Sequence, residues 1–81
     1  MFKEYEIKKL KEKYKKGTRV RLISMEDSQA VPSGTKGTVD FVDDIGSIFV
    51  NWDNGSGLAL IYGVDEFEII YDKDFEKDIK I

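Results

Sequence analysis

The sequence predicts a mainly β fold, in which a small five-stranded β-barrel follows one N-terminal α-helix. Short segments of alternating apolar and polar residues recur from Thr18 to Ile70, and clusters of Gly, Asp and Asn separate them. A period of two bounded by turn residues is typical of half-buried antiparallel strands. Apolar residues at helical spacing precede this region. Because the chain has 81 residues, these elements are expected to form one domain with a thin core.

Residues 4–15 are predicted to form a helix within an amphipathic, basic N-terminal segment, residues 1–16. Ile7, Leu10 and Tyr14 follow each other at i, i+3 and i+7, which places them on one narrow face. A glycine follows the last predicted turn as a natural C-terminal cap. The start has no Ser, Thr, Asp or Asn to cap it, so the first turn is expected to fray.

Three roles are open for this helix. It can dock on the barrel by its apolar face, with Phe49 or Ile61 as the receiving surface. Alternatively, its lysines contact phosphates or an acidic partner, or the helix mediates self-association. Residues 1–21 contain seven Lys and two Arg against three Glu, whereas residues 22–81 contain four Lys against thirteen Asp and Glu. Such charge asymmetry can mark an interaction segment.

The alternating segments predict five strands. The first carries Val20 and Leu22 on one face, and the loop that follows it contains the only proline, Pro32. Asn54-Gly55 predicts a type I′ hairpin turn, in which both central residues need a positive φ. A single 3₁₀ turn is expected over residues 63–65. The predicted strands span residues 18–25, 37–42, 47–52, 57–61 and 66–70.

The order of the connections predicts the type of barrel. A long loop after the first strand, then three tight turns and a 3₁₀ corner before the last strand, form the pattern of an SH3-like barrel. Closure of this barrel over residues 17–70 removes exposed strand edges. Residues 71–81 are charged and lack turn or cap signals, so a helical or disordered tail is expected there.

The central hairpin has two faces with different predicted roles. Trp52 is expected in the core, where its indole N–H needs a hydrogen-bond partner near the strand end. Phe49 points the opposite way and is the best candidate for a binding surface, alone or with Tyr62 or Tyr71. The residues assigned to the core face are Val39, Phe41, Ile48, Val50 and Trp52.

Composition restricts the possible functions. The chain has no Cys, which excludes disulfides and thiol chemistry, and no His, which is the commonest general base and transition-metal ligand. A run of about 18 apolar residues, as a membrane span requires, is missing, and so is the pattern of a signal peptide. A cytoplasmic location is therefore expected.

Acidic residues cluster around the central hairpin but do not predict an enzyme. Asp40, Asp43, Asp44 and Asp53 fall in turns or on the outward strand face, where their pKa values are expected to stay near those of free side chains. The Gly-x-x-Gly at residues 34–37 lacks the helix and the Lys-Ser/Thr pair of a phosphate-binding loop. We therefore expect no catalysis, no cofactor and no metal ion.

Several segments between Gly17 and Ile70 form a specific pattern. They include Gly17-Thr18-Arg19-Val20, Gly34-Thr35-Lys36-Gly37-Thr38-Val39, Val50-Asn51-Trp52-Asp53-Asn54-Gly55-Ser56 and Gly63-Val64-Asp65. This pattern resembles a small bacterial and phage family, domain of unknown function 4314. The resemblance implies association with phages or mobile elements but brings no activity and no catalytic residue. The family tends to have a polar residue and a proline at the positions of Phe49 and Tyr62.

A weaker likeness is to small barrels of eukaryotic ubiquitin-ligase type, which also carry Trp-Asp-Asn-Gly and bind peptides. The favoured hypothesis is a non-catalytic binding module of phage or mobile-element type, which binds a protein or peptide through an exposed barrel face. A nucleic-acid-binding barrel that uses the basic arm is the alternative, although the acidic body argues against it. An acidic mimic of nucleic acid is a third possibility. No membrane contact is expected, and the oligomeric state is open. The candidate partner-binding residues are Phe49, Tyr62, Tyr71, Arg19 and Arg21.

Overall fold

The computed structural model describes residues 2–27 and 29–71 of the chain. In these residues one helix precedes five strands, as the sequence predicted. Of the predicted tail at 71–81, only Tyr71 is among the described residues, so the prediction for the rest of the tail lies outside them. The elements are α1 (Glu4–Lys13), β1 (Arg19–Ser24), β2 (Lys36–Val42), β3 (Ser47–Trp52), β4 (Leu60–Ile61) and β5 (Glu66–Ile69).

The five strands form one antiparallel sheet in the order β4-β3-β2-β1-β5. Consecutive strands pair from β1 to β4, and β5 returns to the free side of β1. Within the described residues, β4 pairs only with β3 and β5 only with β1, so the sheet is open at both edges. The mainly β prediction is confirmed, whereas closure of the sheet into a barrel is not.

The alternation in the sequence produces one buried face of the sheet. Leu22 of β1 and both Ile48 and Val50 of β3 are buried. Trp52 ends this row at 3% exposed, and its Nε1 donates a hydrogen bond to the carbonyl oxygen of Leu58 at 2.8 Å. The prediction of a core tryptophan with a hydrogen-bond partner near the strand end is confirmed.

A β-bulge in β2 changes which residues face the core. The register between β2 and β3 shifts between Val39 and Phe41. Because a bulge adds one residue to one strand, the alternation reverses beyond it. Val39 is buried, but Phe41 is 49% exposed and Val42 takes the next core position. The prediction that Phe41 lies in the core is wrong for this reason.

Helix α1 docks on the same core, which is one of the three roles that the sequence left open. The whole apolar stripe of the helix is buried within the core cluster. Its last member, Tyr14, lies 5.4 Å from Phe67 between ring centroids. The helix therefore packs on the core face, whereas Phe49 and Ile61, which were expected to receive it, belong to the opposite face of the sheet.

The ends of α1 differ from the prediction. The helix ends at Lys13, before residue 15, and Gly17 (φ 95°) lies in the turn that follows rather than at the cap. At the start, the Glu6 carboxylate accepts a hydrogen bond from the main-chain N–H of Lys3 at 3.0 Å. This contact is half of a capping box, and it stabilises the first turn without Ser, Thr, Asp or Asn.

Two turns also differ from the prediction. Gly55 has φ 92° while the φ of Asn54 is not positive, and the Gly55 N–H donates to the carbonyl of Trp52 at 2.9 Å. The Trp52 N–H in turn donates to the carbonyl of Ser56 at 3.0 Å. This is a type I turn followed by a glycine bulge, not a type I′ turn. Gly63 has φ 89°, which a 3₁₀ turn does not contain, so the 3₁₀ prediction is also wrong.

Candidate functional site

The bulge in β2 creates an apolar patch on the face of the sheet opposite the core. Phe41 pairs with Phe49 across β2 and β3, and their rings stack with centroids 4.5 Å apart and planes inclined by 11°. On the next strand Ile61 pairs with Ser47, which is two positions from Phe49 and therefore on the same face. We call Phe41, Phe49 and Ile61 the outer-face patch.

The outer-face patch is accessible to a partner. Phe41 is 49% and Ile61 46% exposed, and Phe49 is half-buried. The strand that carries Ile61, β4, is at the edge of the sheet. The main-chain groups of Ile61 are used within the chain, because its N–H donates to the Asp65 carboxylate and its carbonyl accepts from Val64 and Asp65. The patch therefore offers a partner its apolar side chains.

Tyr62 belongs to a different aromatic cluster. Its ring centroid lies 6.0 Å from that of Phe2, 6.3 Å from that of Tyr14 and 6.4 Å from that of Phe67. These contacts place Tyr62 beside α1. The structure therefore does not bring Tyr62 together with Phe49, although the sequence suggested that the two residues could share a surface.

Beside this cluster, α1 borders a groove of about 350 Å³. The Lys9 Nζ lies 5.8 Å from the ring centroid of Tyr5, and the Lys13 Nζ lies 5.5 Å from that of Tyr14. Burial raises the pKa of the Tyr14 phenol, and the Lys13 ammonium opposes this rise. We call this space the aromatic groove. Its lining includes Phe2, Tyr5, Lys9, Leu10, Lys13 and Tyr62.

Sequence reasoning missed Tyr5, Lys9 and Lys13 as residues of a site. They are spaced four residues apart, so they lie on one side of the helix. This spacing is visible in the sequence. Only the docking of α1, however, shows that this side of the helix borders a cavity.

Arg19 and Arg21, the two basic residues predicted to contact a partner, are held in ion pairs within the chain. Arg19 Nη1 and Nη2 donate to the two carboxylate oxygens of Asp53 at 2.9 Å and 2.8 Å. Arg21 Nε donates to a carboxylate oxygen of Glu68 at 2.8 Å. These charge-assisted bonds tie β1 to the end of β3 and to β5. A phosphate ligand has to compete with both carboxylates for these guanidinium groups.

Two acidic residues depart from the ordinary acidity that the sequence predicted. The hydrogen bond from Arg19 lowers the pKa of Asp53. The hydrogen bond from Lys11, at 2.6 Å, likewise lowers the pKa of Asp44. A carboxylate with a lowered pKa is a poorer proton acceptor. These residues therefore suit ion pairing better than acid–base catalysis.

Asp65 is a buried polar residue that the sequence did not single out. Its carboxylate accepts hydrogen bonds from the main-chain N–H of Ile61 at 2.8 Å and of Glu26 at 3.1 Å. The side chain thus fastens the loop after β1 to the end of β4, which is a structural role. The remaining predicted site residue, Tyr71, is 85% exposed at the end of the described residues.

Residues 2–27 and 29–71 contain no group of three or more acidic, His or Cys side chains arranged to hold a metal ion. The helix in these residues is not long and apolar enough to cross a membrane.

The fold and these surfaces define a small mainly β domain, whose N-terminal helix packs on an open five-stranded sheet. Residues 3–70 match the family model described as Domain of unknown function (DUF4314), and the chain belongs to this family. The matched range includes α1 as well as all five strands. A search of the curated proteins and a search of the solved structures each found no match.

Proposed function

We propose that this chain is a non-catalytic binding module of phage or mobile-element type that acts in the cytoplasm. It holds a protein or peptide partner against the outer-face patch. The observation that carries this proposal is the stack of Phe41 on Phe49, which leaves Phe41 49% exposed. The stack lies on the same face of the sheet as the polar residues Arg19 and Thr38.

The stacked rings offer a favourable binding energy. Complete burial of a Phe side chain contributes about 1.5–3 kcal/mol, and about half of the Phe41 surface is still exposed. Because the two rings already hold each other in place, a partner orders few additional side chains when it binds. Aromatic residues with these properties often supply most of the energy of an interface.

We also propose an SH3-like curvature for the sheet. β4 ends at Ile61 and β5 begins at Glu66, yet these strands are the opposite edges of the sheet. A sheet whose two edge strands are joined by a tight turn has to curve, so that the edges approach each other at the turn. This connection supports the barrel-like architecture that the sequence predicted, with the outer-face patch on its convex side.

Affinity capture from a bacterial lysate with matched variants tests the proposed function. Phe41→Ser removes the exposed ring of the stack, and Ile23→Ser makes the same kind of change at an exposed apolar residue of β1. A protein that wild type and Ile23→Ser retain, but that Phe41→Ser loses, supports the proposal. Titration calorimetry with that purified protein then measures the loss of affinity.

Two results contradict the proposal. A protein that all three chains retain equally shows that the outer-face patch is not the binding surface. If the chain recovers only copies of itself, and Phe41→Ser alone is monomeric by sedimentation, the patch is a self-association surface instead.

Nucleic-acid binding is a second candidate function, and the helix favours it. Lys9 lies 5.8 Å from the ring of Tyr5, which is 58% exposed. Single-stranded bases stack on exposed aromatic rings next to basic side chains. Titration of labelled single-stranded and double-stranded oligonucleotides across salt tests this role. A steep loss of affinity with salt supports it, and the absence of binding at low salt removes it.

A further inference from the structure

We infer that the aromatic groove is a second binding site, which takes an acidic peptide segment of a partner protein. The recognised segment carries an aromatic anchor between two acidic residues. This site is separate from the outer-face patch, because its Tyr62 contacts Phe2, Tyr14 and Phe67 while Phe49 stacks on Phe41. The inference therefore goes beyond the proposed binding at the outer-face patch and does not depend on it, and it is an alternative to the nucleic-acid role of Lys9 and Tyr5.

The inner part of the groove is apolar and partly open. Leu10 is buried at its base, and the rings of Phe2 and Tyr62 lie against each other with centroids 6.0 Å apart. Tyr5 and Tyr62 keep exposed ring surface, so that a ligand side chain can cover it. The volume of about 350 Å³ is near the lower end for ligand sites. A groove of this volume suits one aromatic side chain of a peptide together with the residues on either side of it.

Two lysines of α1, about one helical turn apart, border the groove. Lys9 and Lys13 both line it, and four helical residues rise about 6 Å along the axis. In an extended peptide, side chains at i and i+2 point the same way about 6.6 Å apart. Two acidic residues at i and i+2 therefore match the two lysines. The residue between them points away from the two lysines, and we place its side chain against Phe2 and Tyr62, which also line the groove.

The charges in the groove favour a peptide over a nucleic acid. Nucleic-acid affinity comes mainly from several cations that follow a phosphate backbone, whereas the groove offers Lys9 and Lys13. Glu6 also lines the groove, and its carboxylate accepts a hydrogen bond from the Lys3 N–H. The neighbouring Lys11 is paired with Asp44. A short ligand with two carboxylates fits this charge distribution.

Fluorescence anisotropy with a labelled Gly-Asp-Phe-Glu-Gly peptide and the full chain tests the inference. Lys9→Glu is expected to weaken binding by about fivefold or more. Lys36→Glu makes the same charge change at an exposed residue of β2 that does not line the groove, and it is expected to change affinity by less than about twofold. Tyr5→Ala, or Ala in place of Phe in the peptide, is expected to weaken binding as well. Phe41→Ser should leave it unchanged, because the outer-face patch is not used.

Four results overturn the inference. Equal losses for Lys9→Glu and Lys36→Glu show general charge attraction rather than a site. If a single-stranded oligonucleotide binds more tightly than the peptide, and Lys9→Glu and Tyr5→Ala abolish its binding, the groove is assigned to nucleic acid. In the chain itself, Asp74 and Glu76 flank Phe75. If the peptide binds only to the Phe75→Ala variant, the groove is assigned to these C-terminal residues. The inference is also overturned if the peptide binds neither wild type nor the Phe75→Ala variant.

Discussion

The indole nitrogen of Trp52 donates a hydrogen bond to the main-chain carbonyl of Leu58 at 2.8 Å. The bond satisfies the one polar atom of a side chain that is 3% exposed. It also ties the end of β3 to the segment that leads into β4. Because a buried polar group without a partner destabilises the folded state, this bond lets a large aromatic residue fill a small core.

Removal of this side chain should be costly. Trp52→Ala is expected to lower the free energy of unfolding by about 3–5 kcal/mol, and Trp52→Phe by about 1–3 kcal/mol because the Leu58 carbonyl loses its donor. Urea unfolding followed by far-UV circular dichroism measures both, since the variants contain no tryptophan for fluorescence. Phe41→Ala is the control at an exposed ring and should cost about 0.5–1.5 kcal/mol. Equal costs for Trp52→Ala and Phe41→Ala would contradict the core role of Trp52.

Gly37 is expected to tolerate no side chain, because the core packs directly against its backbone. A Cβ at this position would lie 2.5 Å from Val50 Cγ1 and 2.8 Å from Trp52 Cε3. Gly37→Ala should therefore lower the free energy of unfolding by about 1–3 kcal/mol through overpacking. Gly57→Ala is the matched control, because a Cβ there meets nothing within 4 Å. It should be neutral or stabilise by up to about 1 kcal/mol, and thermal unfolding of both variants provides the comparison.

Features that depend on the spacing of side chains could be predicted from the sequence. The alternation around Leu22, Ile48 and Val50 predicted the strands, because side chains of a strand point to alternate faces. The stripe that begins at Ile7 and Leu10 predicted the helix and its apolar face, because residues three and four apart share a helix face. Docking of this face on the core was one of the three roles that the sequence left open. The position of Phe49 on the reverse face followed from the same alternation, whereas its half-buried state depends on the stack with Phe41.

Features that depend on the backbone path could not be predicted in this way. The extra residue in β2 does not show in the sequence pattern, but it moves Phe41 out of the core and Val42 into it. Asn54-Gly55 is compatible with two hairpin turns, and the structure uses the one with a glycine bulge. The aromatic groove depends on how α1 docks, so the spacing of Tyr5 and Lys9 alone did not indicate it.

The bulge in β2 makes a prediction of its own. Val42→Asp places a carboxylate in the core and should lower the free energy of unfolding by more than about 3 kcal/mol, because a buried charge without a partner is strongly destabilising. Phe41→Asp places the same group on the exposed face and should cost no more than about 1.5 kcal/mol, the contribution of the lost stack. Chemical unfolding at neutral pH compares them. A larger loss of unfolding free energy for Phe41→Asp than for Val42→Asp would indicate an uninterrupted alternation in β2 and would contradict the bulge.

The ion pair between Arg19 and Asp53 predicts a pH-dependent contribution to stability. Hydrogen bonds from Arg19 lower the pKa of Asp53 in the folded chain, whereas the unfolded value is near the reference of about 3.9. The folded state therefore binds this proton less readily than the unfolded state. The stabilisation is present above about pH 4 and is lost as the pH falls through the folded pKa.

Asp53→Asn should therefore lower the free energy of unfolding at pH 7 but have little effect below the folded pKa. The carboxylate is half exposed, so solvent screening limits the effect at pH 7 to no more than about 1 kcal/mol. Urea unfolding of wild type and variant between pH 7 and pH 2.5 measures the difference. Arg19→Lys is the matched control: it keeps the charge but loses the two-bonded geometry at 2.9 Å and 2.8 Å, so it should lose part of the same contribution. A wild-type advantage that persists undiminished at the lowest pH would mean that Asp53 stabilises the fold by packing rather than by its charge.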